Sequence, residues 1–214
     1  MKTIFTLLVA TTLSLTAFAN SSDAYKKAMG KALTEMKTSR TVDELTNTAN
    51  QFQRIAKASQ DEWLPLYYHA QCYVLMGFNN DREADERDSY LDLAQNSIDE
   101  AMEVSANESE IYALQSMLHT ARLVIDPMSR GQKMMGASGK AIGQSLALDP
   151  KNPRAQYLLL SNEVGQAQFF GKDPAEYCGR INTLNTNWDD LNQSPEFYPK
   201  WGKGQISDMA NNCK

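Results

Sequence analysis

The stretch SLALDPKNPRA, Ser145–Ala155, holds the end of one helix and the start of the next. Asp149-Pro150 stops a helix, because proline lacks a backbone N–H and its ring clashes with the preceding turn. Asn152-Pro153 starts another, because asparagine caps free N–H groups and proline suits the first helical position. So short a connection predicts two antiparallel helices joined by a tight turn.

Helical periodicity of apolar residues runs through nearly the whole chain, without convincing alternation of apolar and polar residues. Start signals recur, including a capping box at Thr41–Glu44 and the pair Asp173-Pro174. These patterns predict an all-α protein whose first eight helices form about four antiparallel hairpins. The predicted helices are Asp23–Thr38, Val42–Ser59, Glu62–Gly77, Ala84–Ser105, Glu108–Ile125, Pro127–Leu148, Pro153–Phe169, Pro174–Asn185 and a short Gly202–Asn212.

A repeat period appears in both tyrosines and small residues. Tyr67, Tyr112 and Tyr157 are spaced 45 residues apart, which favours a role in packing between hairpins. A small–apolar–small pattern, which lets helices approach closely, recurs at a spacing of 44 residues. Its two copies are Ala94, Ile98, Ala101 and Ser138, Ile142, Ser145. A period in this range is typical of a helical solenoid.

The junction Ser145–Ala155 resembles the boundary between two tetratricopeptide repeats (TPRs). The wider chain resembles a group of exported TPR-like proteins of Gram-negative bacteria. The matching stretches are ANQFQRIA (Ala49–Ala56), EWLP (Glu62–Pro65), DPMSRG (Asp126–Gly131), NPRA (Asn152–Ala155) and WGK (Trp201–Lys203). The resemblance implies an α–α superhelix and little about activity. The repeats exceed the usual 34 residues, and Leu160 stands where a small residue is expected.

The N-terminus has the features of a cleavable secretory signal. Lys2 precedes an apolar run, and Ala17-Phe18-Ala19 is a small-x-small cleavage site. We therefore predict a signal peptide over 1–19, a single TPR-like domain over 20–214, and a periplasmic or secreted location without stable membrane insertion. The net charge of −5 disfavours nucleic acid as a partner.

The chain contains three cysteines, Cys72, Cys178 and Cys213. Cys72 lies in an apolar helical pattern and is interpreted as a small buried residue. Export permits disulfides, so Cys178 and Cys213 form a possible pair. Two reduced thiols are an equal alternative.

Four glycines cluster in the sixth predicted helix, at Gly131, Gly136, Gly139 and Gly143. They do not form a phosphate-binding loop, which needs a glycine at the position of Met134, Ser or Thr at the position of Ala141 and a preceding strand. We predict that they allow this helix to pack closely against its neighbours. The alternative is a locally loose helix, since glycine disfavours helix relative to alanine.

Binding candidates come from the first helices of the hairpins, which in TPR-like solenoids line the concave surface, and from the two proline turns, where an arginine could contact an anion. Tyrosine suits such a groove because it offers a large contact area at low entropic cost. The two arginines at the proline turns, Arg130 and Arg154, could alternatively clamp the turns within the protein. Two histidines without a third ligand predict no metal site. The candidates are Tyr68, Tyr73, His69, His119, Arg130 and Arg154.

The segment 187–214 is rich in aromatic residues, including Trp188, Phe197, Tyr198 and Trp201. A solenoid needs a cap over its last apolar face, so this segment is predicted to be that cap. The alternative is a tail that recruits a partner.

The favoured function is a binding scaffold that holds a peptide or protein on its concave face, with no cofactor and no catalysis. The repeat architecture and the absence of a catalytic signature support it. The alternative is a periplasmic small-ligand carrier, since methionine-rich seams adapt to ligands. Its pocket would be built around Met128, Met134, Met135 and His119. An enzyme with a scattered site is the least supported hypothesis.

Overall fold

The computed structural model describes residues 23–213, and all regular structure in that range is helical. The predicted signal peptide lies outside the described residues. The helices are α1 (23–38), α2 (Val42–Ala58), α3 (Trp63–Gly77), α4 (Ala84–Val104), α5 (Ser109–Ile125), α6 (Pro127–Leu148), α7 (Pro153–Phe169), α8 (Cys178–Leu191) and α9 (Lys203–Asn211). A 3₁₀ turn, Pro174–Tyr177, precedes α8.

The all-α prediction is confirmed, and most predicted bounds agree closely with the structure. The capping box of α2 is present, because the Thr41 side chain accepts from the Glu44 N–H and the Glu44 carboxylate accepts from the Thr41 N–H. The largest difference is at α8, which was predicted to end at Asn185 and continues to Leu191. The added turn carries Trp188 into the core, and burial of this indole outweighs the weak local helix signal.

Neighbouring helices pack as hairpins, with α2 on α3, α3 on α4 and α5 on α6. The odd-numbered helices also form a row, in which α3 contacts α5 and α5 contacts α7. This arrangement confirms an α–α superhelix. The main core cluster draws on α1–α5, and a second cluster joins α7, α8 and α9.

The predicted small–apolar–small pattern lies at helix contacts. All six of its residues are buried. Hydroxyl pairs join α5 to α6, with 2.9 Å between the Oγ atoms of Ser109 and Ser145 and 2.9 Å between those of Ser116 and Ser138. The small side chains therefore permit close approach, as predicted, and the serines also satisfy each other's hydrogen bonds.

A buried ion pair joins α5 to α7. Arg154 Nε and Nη2 each lie 2.6 Å from a carboxylate oxygen of Glu110. Arg154 Nη1 donates to Asn192 Oδ1 at 2.7 Å, and Asn152 Nδ2 donates to Glu110 Oε1 at 2.9 Å. Burial lowers the pKa of Arg154, but the hydrogen bonds and charge of Glu110 outweigh burial and leave that pKa raised.

After α8 the chain turns back across the first helices. We call residues 192–202 the return segment. The Tyr68 hydroxyl donates to the Phe197 carbonyl at 2.7 Å, and Trp201 Nε1 donates to the Tyr67 hydroxyl at 2.8 Å. The Tyr198 hydroxyl donates to Glu108 at 2.9 Å. The aromatic tail thus does more than cap the last hairpin, because Phe197, Tyr198 and Trp201 contact α3.

The three cysteines take two different states. Cys178, at the start of α8, forms a disulfide with Cys213, after α9, with 5.5 Å between their Cα atoms. The pairing that the sequence left open is therefore present in the structure. Cys72 is a buried free thiol, and burial raises its pKa to about 12. A thiol of this kind is unreactive in the folded protein.

Gly202, at the start of α9, is required by both backbone conformation and space. Its φ is +106°, and a Cβ there would lie 2.4 Å from the Trp188 ring. We expect Gly202→Ala to lower the free energy of unfolding by roughly 2–4 kcal/mol, from strain and overpacking.

The matched control is Gly204→Ala, because a Cβ at Gly204 meets nothing within 4 Å. This substitution should leave stability unchanged or raise it by up to about 1 kcal/mol through helix propensity. Urea unfolding monitored by circular dichroism measures both. Equal stability of the two variants would contradict the assigned role of Gly202.

Candidate functional site

The first three turns of α6 contribute no buried residue to the core. The buried residues of α6 are Ser138, Ala141, Ile142 and Ser145, all in its second half. The first half therefore stands away from α7 and leaves a cavity of about 800 Å³ above α5. We call this cavity the α6 cleft. It is lined by Thr120, Leu123, Val124, Pro127, Met128, Gly131, Gln132, Met135, Gly136, Ser161, Asn162, Gly165, Gln166, Phe169 and Phe170.

Exposed apolar side chains concentrate around the α6 cleft. Met128 is 86 % exposed, Phe169 67 % and Phe170 65 %, and exposed Val124 also lines the cleft. The two phenyl rings pack edge to face, with 5.3 Å between their centroids. Contiguous exposed apolar surface of this kind marks binding sites in soluble proteins.

Glycines form part of the walls of the α6 cleft. A Cβ at Gly131, Gly136 or Gly165 would meet nothing within 4 Å, and the same holds for Gly139 and Gly143. The prediction that the α6 glycines serve close helix packing is therefore wrong. The structure places them on open surface, and at Gly131 and Gly136 the missing side chain widens the cleft instead.

Polar groups in the α6 cleft are neutral. Side-chain amides and hydroxyls are supplied by Gln132, Gln166, Asn162, Ser161 and Thr120. Asn162 is oriented by its Nδ2, which donates to Ser138 Oγ at 2.7 Å. Every lining residue is uncharged, so the cleft suits a ligand held by apolar contact and a few hydrogen bonds.

The alternative pocket predicted from the sequence is found in part. Met128 and Met135 line the cleft, whereas Met134 and His119 are not among its lining residues. His119 lies beside the cleft on α5, with its Nε2 3.0 Å from Gln115 Nε2. Its Nδ1 is buried without a partner among the described residues, and burial, followed by Arg122, lowers its pKa.

Three of the predicted groove residues lie in the core instead of on an open groove. Tyr68 is 5 % exposed, and its ring stacks on Phe52. His69 is buried, with its Nδ1 2.6 Å from Ser97 Oγ. Arg154 is buried in its pair with Glu110. The groove that these residues were predicted to line is covered by the return segment and the neighbouring helices.

The remaining two groove candidates make contacts within the protein. Tyr73 is partly buried between α3 and α4, where its ring contacts His69 and Tyr90. Arg130 donates to both carboxylate oxygens of Asp88 at 2.7 Å and so ties the start of α6 to α4. Both predicted arginines therefore pair with carboxylates of the chain, as the clamp interpretation expects.

Several cleft residues were not singled out from the sequence. They include Phe169, Phe170, Gly165 and Asn162. The usable signal was Phe169-Phe170 directly before Gly171, because two adjacent phenylalanines at a helix end cannot both face the core. Gly171 has a φ of +67°, as expected for a glycine that ends a helix.

Residues 23–213 contain neither a candidate metal site nor a helix suited to crossing a bilayer. Nowhere in this range do three His, Cys, Asp or Glu side chains come together in a way that would hold a metal ion. No described helix has the length and apolarity needed to cross a bilayer.

Fold and cleft together describe a helical superhelix with an apolar cavity of ligand size. A solved structure with this architecture is that of the HusA haemophore from Porphyromonas gingivalis. The two chains are 26 % identical and superpose with a TM-score of 0.77, over 89 % of this chain and 92 % of that chain. No protein-family model matches the chain, and no curated protein matches its sequence.

Burial of His69 makes a prediction about pH. Its pKa is lowered to about 4, first by burial and then by Lys57. In the unfolded chain the pKa of histidine is about 6.5. As the pH falls, the unfolded state therefore takes up the proton before the folded state does. Stability is therefore lost as the pH falls from about 6.5 towards about 4.

Between pH 7 and pH 4.5 we expect the free energy of unfolding to fall by about 2 kcal/mol less in His69→Gln than in the wild type. Urea denaturation at the two pH values measures the difference. Carboxylates titrate in both proteins and cancel in the comparison. Parallel losses would contradict a neutral, buried His69.

Proposed function

We propose that this protein is an exported carrier that binds a porphyrin of the haem type in the α6 cleft, without catalysis. The observation that carries the proposal is the α6 cleft itself, an apolar cavity of about 800 Å³ lined by exposed methionine and phenylalanine side chains. Similarity to a haemophore over most of both chains supports the choice of ligand. The predicted signal peptide supports export.

The shape and polarity of the α6 cleft suit a flat macrocycle. Its volume lies within the usual 300–1,000 Å³ of small-molecule sites. Phe169 and Phe170 offer rings at one edge, and Gly136 and Gly165 leave the walls free of side chains. Because the lining is uncharged, the carboxylates of a porphyrin would point towards solvent, where they keep their hydration.

Iron ligation has few candidates in the α6 cleft. Histidine, cysteine, methionine and tyrosine are the usual axial ligands of haem. Among these the lining contains only Met128 and Met135. Since Met128 is largely exposed to water, we infer that apolar contact with the macrocycle supplies most of the affinity.

The small-ligand hypothesis is favoured over the peptide scaffold by the position of the return segment. Tyr68, one of the groove candidates, donates its hydroxyl to the Phe197 carbonyl. Trp63 packs against Tyr198, with 5.3 Å between ring centroids. A peptide lying along this face would have to displace these contacts, whereas the α6 cleft is already open.

Filling the α6 cleft should prevent porphyrin binding. We expect Gly136→Leu to weaken haemin binding at least about tenfold, because the new side chain occupies space that the ligand needs. The matched control is Gly143→Leu on the same helix, also in open space but outside the cleft. It should change affinity by less than about twofold. Soret-band titration measures both variants.

Both substitutions replace a helical glycine and should alter stability alike, by up to about 1 kcal/mol. Equal affinity for haemin in the two variants would reject the α6 cleft as the site. Absence of saturable binding in the wild type would reject the porphyrin.

A second pair of variants separates apolar contact from iron ligation. We expect Phe169→Ala to weaken both haemin and metal-free protoporphyrin IX by about tenfold, because both lose the same aromatic contact. We expect Met135→Leu to leave both affinities within about threefold, since the side chains are similar in volume. A loss confined to haemin in Met135→Leu would instead show that the thioether binds iron.

A further inference from the structure

A second cavity, of about 410 Å³, lies between α1, α3 and the return segment. We call it the α1 cleft. Leu33 and Met36 of α1 form one wall, and the aromatic residues Phe197, Tyr198 and Trp201 form the other. It shares no lining residue with the α6 cleft, so the two cavities are separate sites.

The return segment holds the aromatic wall of the α1 cleft in position. Tyr68 and Tyr67 of α3 bond to the Phe197 carbonyl and the Trp201 indole at 2.7 and 2.8 Å. Phe197 has a φ of 66°, the one positive value among the described residues other than glycine. Left-handed backbone is costly for an aromatic residue, so tertiary contacts maintain this conformation.

The charged groups of the α1 cleft are two lysines, Lys37 of α1 and Lys200 of the return segment. Both are exposed, and neither pairs with a carboxylate among residues 23–213. No acidic side chain lines this cleft. Its mouth is therefore electropositive, in contrast to the uncharged α6 cleft and the acidic chain as a whole.

An unpaired acceptor lies in the wall formed by α3. Gln71 lines the α1 cleft and is 5 % exposed, and its Oε1 has no hydrogen-bond donor among the described residues. Buried polar atoms are nearly always paired. An unpaired one can therefore mark the position of a water or a ligand. A ligand N–H reaching this atom would remove the cost of leaving it unpaired.

We propose that the α1 cleft binds a small organic acid with an aromatic body and an N–H donor. The ring packs between Met36 and Trp201, and the N–H donates to Gln71 Oε1. The carboxylate lies at the mouth with Lys37 and Lys200. These three features together define the class of ligand, and this site is independent of the porphyrin site.

Indole-3-acetate carries all three features and serves as the probe. Calorimetry on the mature protein should show saturable binding. Indole-3-ethanol, which lacks the carboxylate, should bind at least about tenfold more weakly. 1-Methylindole-3-acetate, which lacks the donor, should bind about fivefold more weakly. Equal affinities for the three compounds, or no saturable binding of indole-3-acetate, would overturn the proposal.

Variants locate the binding. The double substitution Lys37→Gln with Lys200→Gln should weaken indole-3-acetate about tenfold, and Gln71→Leu about fivefold. The control is Lys133→Gln, which removes the same charge at an exposed position of α6 and should have no effect. Equal weakening by the control would overturn the assignment to the α1 cleft.

Competition separates this proposal from porphyrin binding. Haemin should not displace indole-3-acetate, and Gly136→Leu should leave its affinity unchanged. Displacement by haemin together with loss in Gly136→Leu would place the acid in the α6 cleft and overturn the inference. If haemin fails to bind while the acid binds as described, only the porphyrin proposal falls.

Discussion

The buried pair of Arg154 and Glu110 is the contact on which the arrangement of the C-terminal half depends. Two charges in the core are tolerated only when they are paired and hydrogen-bonded, and removal of one partner typically costs about 3–5 kcal/mol. Here the guanidinium bonds Glu110 of α5 twice and Asn192 once. One side chain of α7 thus sets the position of α7 on α5 and the point where the return segment begins.

The course of the return segment decides which face of the superhelix remains open. From Asn192 the chain crosses α3, and Phe197 and Tyr198 pack against the main core cluster. The return segment thereby covers the surface that the first helices of the hairpins were predicted to leave open as a groove, apart from the α1 cleft. The α6 cleft stays open because the first half of α6 is tied to α4 through Arg130 and Asp88 and contributes no buried side chain. Both cavities therefore lie at places where neighbouring elements are held in position but do not pack directly against each other.

The helices could be predicted well because their signals are local. Caps such as Thr41 and Asn152 act on backbone groups two or three residues away, so a short stretch contains the whole interaction. The candidate sites could be predicted only in part. Glycines in a helix have the same local pattern whether they face a neighbouring helix or open space, and a tyrosine repeat does not reveal what covers it. Met128 and Met135 could be predicted as pocket residues because methionines are frequent in this part of the sequence. Phe169 and Gly165 line the cleft only because α6 is separated from α7, which the sequence does not show.

The sequence by itself determined the all-α class, the hairpin turns and the small residues at helix contacts, because these depend on backbone geometry and helical periodicity. Tertiary structure alone decided that Tyr68 is covered, that Arg154 pairs with Glu110, and that Gly131 and Gly136 widen a cleft. The physical reason is distance along the chain. Tyr68 and Phe197 are 129 residues apart, and Arg154 and Glu110 are 44 apart. Contacts of this range form only when the whole superhelix closes, so no local pattern encodes them.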